Sequence, residues 1–199
     1  AAIWEDRHVE LAREGVGIGE VLAELEAKRA GDARWREGRT FGLVFDGGAS
    51  VHEVAERASA MYLHDNALST RAFPSLGEIQ SEVVGWTARL LNGPASAAGF
   101  LTSGGTESIQ CAVLAARQRA RVERGIEFGT IVVPISAHAA FHKAAHMYGM
   151  PITTTPVLDD WTADVAAMAA AVDDRTALVV GSAPQYPQGV VDPIPAIAE

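Results

Sequence analysis

The chain has 199 residues, of which 48% are hydrophobic and 21% charged, and its formal net charge at pH 7 is −9. This composition is typical of a globular protein with a sizeable core. The acidic balance argues against non-specific nucleic-acid binding, which needs a basic surface. The single cysteine, Cys111, allows no internal disulfide and fits a reducing compartment. No signal peptide or membrane-length apolar run is evident, so we expect a cytoplasmic protein without a transmembrane segment.

The first 60 residues are expected to form an N-terminal helical segment. Residues 1–40 are polar and helical in pattern, with Gly31 as the predicted stop of an amphipathic helix. The stretch FGLVFDGG predicts a short strand that ends at its two glycines. After it, Ser50 stands three residues before Glu53, which is a capping-box spacing and predicts a helix to about residue 64.

Residues 61–199 are expected to form an α/β region. A long amphipathic helix should end at Gly93, and Gly99–Leu101 should form a very short strand. A helix from about Glu107 follows, and then apolar strands alternate with helices, one of them capped by Thr162. The predicted strands are GTIVVPIS, PITTTPVL and TALVVGSAP. This alternation predicts a mainly parallel sheet flanked by helices on both faces.

The stretch TSGGTES, residues 102–108, stands directly before the helix predicted from about Glu107. Its glycines permit close approach of the backbone to a ligand, and the amides of a first helical turn have no partners within the helix. With the helix dipole and the hydroxyls of Ser103 and Thr106, they could bind an anion. The spacing is neither a Walker loop nor a Rossmann fingerprint. Because Glu107 could satisfy the dipole without a ligand, a phosphate cradle and simple helix capping both stay open.

Three histidines, His138, His142 and His146, recur at a spacing of four residues beside Lys143. The spacing suggests a metal site, but only the last two clearly share a helix, and no carboxylate lies nearby in sequence to orient the rings. Core or surface histidines are the alternative for these two. His138 lies at a strand-to-helix junction, where a parallel sheet presents ligand-binding residues, and is therefore the functional candidate.

The stretch GSAPQYPQGVVDP follows the last predicted strand. Its prolines and its glycine impose a shaped loop at the carboxyl end of that strand. Such loops line active sites in α/β folds, although a plain surface connection fits this segment as well.

Three stretches, TSGGTESI, SAHAAFHKAA…YGM and GSAPQYPQGVVDPIPAIA, resemble in order and spacing the sphingosine-1-phosphate lyase family. That family belongs to the pyridoxal-phosphate enzymes of fold type I and is close to the group II amino-acid decarboxylases. The resemblance also takes in NALSTRAFPSLGEIQSEVV and covers roughly four fifths of the chain. It implies a type I fold, pyridoxal 5′-phosphate as cofactor, a homodimer, and a chain that is the N-terminal part of a longer enzyme. On this view residues 61–199 are the first part of its large cofactor-binding domain.

The resemblance also implies roles for individual residues. The residues matched to cofactor binding are Gly104, Gly105, Thr106, His138, Ser182 and Gln188. Within this set, the pair Gly105 and Thr106 matches the phosphate site, and His138 matches the ring stacked on the pyridine face. Asn66 matches the asparagine of an Asn-x-Leu-His loop that approaches the substrate.

Two residues depart from the family pattern: Ser69 replaces the histidine of that loop, and Phe45 stands where relatives often have tyrosine. Both changes remove polar groups suited to a phosphorylated amino-alcohol. Lys143 matches a helix lysine of the family, and Lys28 lies in the polar N-terminal region. The Schiff-base lysine and the aspartate that pairs with the pyridine nitrogen are therefore expected beyond Glu199, and the catalytic residue is unknown.

The sequence thus leaves three hypotheses for function. The first is a pyridoxal-phosphate carbon–carbon lyase that cleaves the Cα–Cβ bond of a phosphorylated amino-alcohol. The second is an amino-acid decarboxylase of group II on the same fold, acting on another small-molecule amine. The third is an inactive fragment or scaffold that lacks the Schiff-base lysine.

Overall fold

The computed structural model describes residues 13–38, 40, 42 and 44–199. The chain divides into two compact units, Ala1–Asn66 and Ala67–Glu199. The domain boundary expected after residue 60 stays a prediction. The helical character expected of residues 1–12 lies outside the described residues.

The described residues of the first unit form two helices, α1 (Ile18–Arg29) and α2 (Ala49–Met61), with a short 3-10 helix at Trp35–Glu37 between them. The helix predicted to stop at Gly31 is confirmed as α1. The strand predicted in FGLVFDGG is wrong for its described residues, none of which lies in a strand. Phe45 is 94% exposed there, and an extended segment without a neighbouring strand gains no ladder hydrogen bonds.

The predicted capping box of α2 is also wrong. The helix begins two residues earlier than the box requires, with Gly48 before it and no side-chain cap. Glu53 does not reach back to the amide of Ser50 but forms an ion pair with Arg57 at 2.7 Å. Asp46 Oδ1 instead accepts a hydrogen bond from the Gly48 amide at 2.9 Å and so fixes the turn into the helix. The helix ends at Met61, three residues before its predicted end.

The second unit contains five helices and three strands among its described elements. The helices are α3 (Pro74–Leu90), α4 (Gly105–Arg124), α5 (Ala140–Tyr148), α6 (Val165–Ala171) and α7 (Ile194–Ala198). The strands are β1 (Thr130–Pro134), β2 (Ile152–Thr155) and β3 (Thr176–Val179), in the order β2-β1-β3. Both strand pairs are parallel, which confirms the predicted sheet.

Two local predictions in this unit are corrected. Gly99–Leu101 is not a strand; the amide of Leu101 donates to Gln80 Oε1 at 3.3 Å rather than to a neighbouring strand. The cap of α6 is Asp164, whose carboxylate accepts from the Ala167 amide at 3.0 Å, and not Thr162.

Alternate residues of the central strand β1 pack on opposite faces of the sheet. Ile131 and Val133, fully buried, join one apolar cluster that includes Val113 of α4. Val132 joins the other, with Met168 of α6. Coverage of both faces is what a parallel sheet requires, and this alternation follows from the two-residue period of a strand.

The direction of α4 determines which end of the sheet its N-terminus reaches. Arg124 at its C-terminus donates through Nη2 to the carbonyl of Thr176, the first residue of β3, at 2.6 Å. The C-terminus of α4 therefore lies at the amino ends of the strands. Its N-terminus reaches the opposite edge, where the chain leaves β1 and β3.

Candidate functional site

Helix α4 begins in open space. Gly104 precedes the helix, and of the described residues none offers a side-chain acceptor to the amides of Gly105 and Thr106. A Cβ built on either glycine meets no atom within 4 Å. Unpartnered amides at the positive end of a 20-residue helix form an arrangement that binds anions.

Glu107 does not block this arrangement, because its carboxylate turns toward the preceding loop. The amide and the hydroxyl of Ser103 both donate to Glu107 Oε2, at 2.7 and 2.6 Å. The Ser103 hydroxyl, followed by the Ser103 amide, holds the pKa of the Glu107 carboxyl below its ordinary value of 4.5. The ionised side chain thus fixes the loop before the helix and leaves the first-turn amides to another acceptor.

Most hydroxyls around the start of α4 are hydrogen-bonded within the chain, and one is left for a ligand. Ser103 is committed to Glu107, and the Thr102 and Ser108 hydroxyls lie 2.6 Å apart in a mutual hydrogen bond. The exposed Thr106 hydroxyl makes no hydrogen bond within the described part of the chain. Of the two hydroxyls considered from the sequence, Thr106 is therefore the one that remains available to a ligand.

His138 stands exposed on the segment after β1, just before α5. Its Nδ1 accepts a hydrogen bond from the Ala140 amide at 3.1 Å. Because Nδ1 accepts this hydrogen bond, Nε2 is the ring nitrogen left to face a ligand. The Tyr186 ring lies 5.7 Å from the imidazole, centroid to centroid, at an interplanar angle of 77°. The loops that follow β1 and β3 therefore meet at this point.

The loop after β3 is anchored by two buried side chains. Asp192 is 1% exposed and accepts hydrogen bonds from the amides of Ala163 at 2.9 Å and Ser182 at 2.8 Å. Gln185 is 2% exposed and donates through Nε2 to the carbonyl of Trp161 at 2.6 Å. Both anchors tie this loop to the segment that precedes α6.

The sequence-predicted cofactor residues lie on segments that reach the same edge of the sheet. Gly104, Gly105 and Thr106 lie at the start of α4, His138 follows β1, and Ser182 follows β3. Ser182 is half-buried and held through its backbone by Asp192, whereas Gln188 is exposed near the tip of the loop. The carboxyl edge of a parallel sheet is where such folds bind ligands.

Three other residues considered from the sequence lie on other segments of the chain. Asn66 is exposed in the first unit. Lys28 is on α1 and forms an ion pair with Glu24 at 2.6 Å, and Lys143 is exposed on α5. Of the described residues, no group of three histidine, cysteine, aspartate or glutamate side chains could hold a metal ion.

Sequence reasoning missed Tyr186, Gln185 and Asp192. For Asp192 a signal existed, because an acidic residue within the apolar run VVDPI indicates a buried carboxylate with hydrogen-bond partners. Gln185 and Tyr186 stand between two prolines, which indicates a shaped loop but not which side chain turns inward.

A family model described as aminotransferase class-V matches residues 48–199 of the chain. The chain is 41% identical over 189 residues to sphingosine-1-phosphate lyase 1 of Mus musculus, in an alignment covering 95% of this chain and 33% of that protein. It is 38% identical over 148 residues to a probable L-aspartate decarboxylase of Halobacterium salinarum, with 74% of this chain and 40% of that protein covered.

Among solved structures, the sphingosine-1-phosphate lyase of Burkholderia pseudomallei superposes with a TM-score of 0.88 at 37% identity. The superposition covers 96% of this chain and 46% of the bacterial chain. The chain thus spans about a third of the mouse protein and slightly under half of the bacterial structure.

Proposed function

We propose, from the premise that the chain belongs to the aminotransferase class-V family, that its carboxyl-edge site binds pyridoxal 5′-phosphate. The fold is the type I fold of pyridoxal-phosphate enzymes, with helices around a parallel sheet. The observation that carries the proposal is the open start of α4, where the amides of Gly105 and Thr106 have no acceptor among the described residues.

The residues present fit this cofactor at both of its ends. The α4 amides and the Thr106 hydroxyl would hold the phosphate, which needs donors and no counter-charge beyond the helix dipole. His138 would lie against the pyridine ring, since a flat imidazole ring packs well on another aromatic ring. Ser182, fixed through its backbone, would border the ring on the β3 side. When bound, the cofactor supplies an electron sink for bond cleavage next to an amine.

The chain's own contribution is binding and orientation. Neither lysine is placed as the reaction's nucleophile: Lys28 is paired with Glu24 in the first unit, and Lys143 is exposed on α5. We therefore assign the phosphate and ring contacts to this chain and assign no catalytic step to its lysines.

We propose a carbon–carbon lyase, acting on the Cα–Cβ bond of a phosphorylated amino-alcohol, as the whole protein's reaction. The support is similarity to sphingosine-1-phosphate lyases at 41% and 37% identity over nearly the whole chain. An amino-acid decarboxylase is the second candidate, because the similarity to the archaeal aspartate decarboxylase is 38% but extends over only 74% of the chain. Asn66, exposed in the first unit, is proposed as a substrate contact.

The first experiment is intact-mass analysis of the purified native protein after borohydride reduction. A covalently retained pyridoxal phosphate supports the proposal, and its absence at saturating cofactor refutes it. Substrate assays then separate the two reactions. Release of an aldehyde from a phosphorylated amino-alcohol supports the lyase, whereas release of carbon dioxide from aspartate or glutamate supports the decarboxylase.

We further propose that the protein acts in the cytoplasm as a homodimer. Enzymes of this fold usually build each site from two subunits, and the single Cys111 suits a reducing compartment. Of the described residues, none belongs to a helix with the length and hydrophobicity needed to cross a membrane. Light scattering on the native protein tests the dimer, and a monomeric mass would contradict it.

A further inference from the structure

Tyr186 lies beside His138 although the two residues belong to different loops. The ring centroids are 5.7 Å apart and the rings are nearly perpendicular, at 77°. This geometry is one of the favoured arrangements of aromatic pairs. Tyr186 is nevertheless 65% exposed, so the contact is not explained by burial in a core.

The backbone that carries Tyr186 is held in place. The amide of the preceding residue, Gln185, donates to the carbonyl of Val190 at 2.9 Å, and the amide of Gly189 donates back to the Gln185 carbonyl at 3.1 Å. The buried side chain of Gln185 adds a hydrogen bond, donated by Nε2 to the carbonyl of Trp161. These hydrogen bonds fix the backbone of the turn, so the exposed Tyr186 ring is attached at a defined position.

His138 depends on this neighbour for its orientation. Within the described residues its side chain has one hydrogen bond, from the Ala140 amide to Nδ1. A single hydrogen bond fixes one ring atom and leaves the ring free to tilt about it. The contact with Tyr186 supplies a second point of restraint.

We propose that Tyr186 is a positioning residue that sets the plane of the His138 ring and thereby the orientation of the cofactor ring that stacks on it. This inference rests on the proposed function, because it takes the ligand of His138 to be pyridoxal phosphate. The phenyl ring of Tyr186 provides the restraint. Its hydroxyl makes no hydrogen bond within the described part of the chain.

The experiment compares the native protein with Y186A, Y186F, H138A and the double variant Y186A/H138A. An aromatic pair contributes about 0.5–1.5 kcal/mol, so Y186A should weaken pyridoxal-phosphate affinity on the order of 2- to 10-fold and reduce the visible circular dichroism of the bound cofactor. Y186F keeps the ring and should restore both. In the H138A background, Y186A should have no further effect on affinity.

A second readout does not depend on the cofactor. In the cofactor-free protein labelled with ¹⁵N-histidine, the His138 ring signals, assigned by their loss in H138A, should shift in Y186A and return in Y186F. If the wild type binds the cofactor but Y186A has the same affinity and His138 spectrum, the role of Tyr186 is refuted and the proposed function stands. If Y186F is as impaired as Y186A, the hydroxyl acts and the ring-restraint argument is wrong. If the wild type binds no cofactor, the proposed function itself fails, and the inference fails with it.

Discussion

Replacing Asp192 by asparagine should loosen the loop after β3. The two carboxylate oxygens each accept one backbone hydrogen bond, Oδ1 from Ala163 and Oδ2 from Ser182, in a site where the residue is 1% exposed. Asparagine offers one oxygen and turns an NH₂ group toward the other amide. One of these two backbone donors therefore loses its acceptor, and two donors face each other.

The cost follows from this loss. A buried donor without an acceptor costs about 1–3 kcal/mol, and a hydrogen bond to a charged group contributes about 1.5–3 kcal/mol. Part of this free-energy cost is offset in D192N, because burying a neutral side chain costs less than burying a charged one. We expect a net cost of about 2 kcal/mol. Since 1.4 kcal/mol corresponds to a factor of ten, local opening should become about 30-fold more frequent.

Amide hydrogen exchange on the native protein measures this opening directly. In D192N one of the two amides, Ala163 or Ser182, should exchange about 30-fold faster, and in D192A both should. The matched control is D159N, because Asp159 is exposed and the same substitution there should leave both amides protected. Unchanged exchange of both amides in D192A would refute the view that the carboxylate fixes this loop.

Three further predictions concern the site and its support. The pKa of Glu107 is lowered by Ser103, so the Glu107 carboxylate should stay ionised until the pH falls below 4.5, and its contact with Ser103 should be lost only in more acidic solution. Carboxyl NMR titration should show a higher titration midpoint for Glu107 in S103A. An unmoved midpoint would contradict the assigned cause. The Cβ of Gly105→Ala meets no atom within 4 Å, so the variant should keep the melting temperature. Overpacking against the phosphate by about 1–3 kcal/mol should weaken pyridoxal-phosphate binding by about 5- to 150-fold, and unchanged binding would place the phosphate elsewhere. A Cβ on Gly129 would stand 2.4 Å from Cβ of Ala177. Gly129→Ala should therefore lower the free energy of unfolding by about 1–3 kcal/mol, measured by thermal unfolding. An unchanged melting temperature would show that the backbone shifts freely to make room for the added methyl group.

The parallel sheet could be predicted because its signal is long-range and repeated. The strands β1 and β3 are short, mostly apolar runs between helices, whereas β2 is Ile152 followed by three threonines. Both faces of β1 are buried, so its residues need no alternation. The two wrong strands, in FGLVFDGG and at Gly99–Leu101, are apolar runs of the same kind. A strand needs a partner at hydrogen-bonding distance, and the local sequence does not encode that partner.

Helix caps were less predictable than helices. The Ser50–Glu53 spacing fits a capping box, yet α2 starts at Ala49. Thr162 is a suitable cap residue for α6, yet Asp164 caps that helix. Several hydroxyl or carboxylate residues near a helix start can serve as its cap. Tertiary packing decides which one does, since it fixes where the first turn begins.

In the candidate site, the residues proposed to contact a ligand were more predictable than the residues that hold their loops in place. The open start of α4 and the junction position of His138 follow from motif and strand order. Tyr186 and Gln185 act across loops that only the fold brings together, at 5.7 Å between ring centroids and 2.6 Å between hydrogen-bonded atoms. Contacts of this kind depend on the geometry of two connections at once, and no local spacing specifies them.

The net charge of the chain is −9, and several of its acidic side chains are engaged by backbone amides of the second unit. Each of three carboxylates accepts backbone amides of the framework: Glu107 from Ser103, Asp164 from Ala167, and Asp192 from two loops. Charges farther away than about 8–10 Å are largely screened at physiological salt. At the start of α4 the helix dipole and the two amides that no carboxylate has taken favour an anion, whereas the ionised Glu107 of the first turn opposes one.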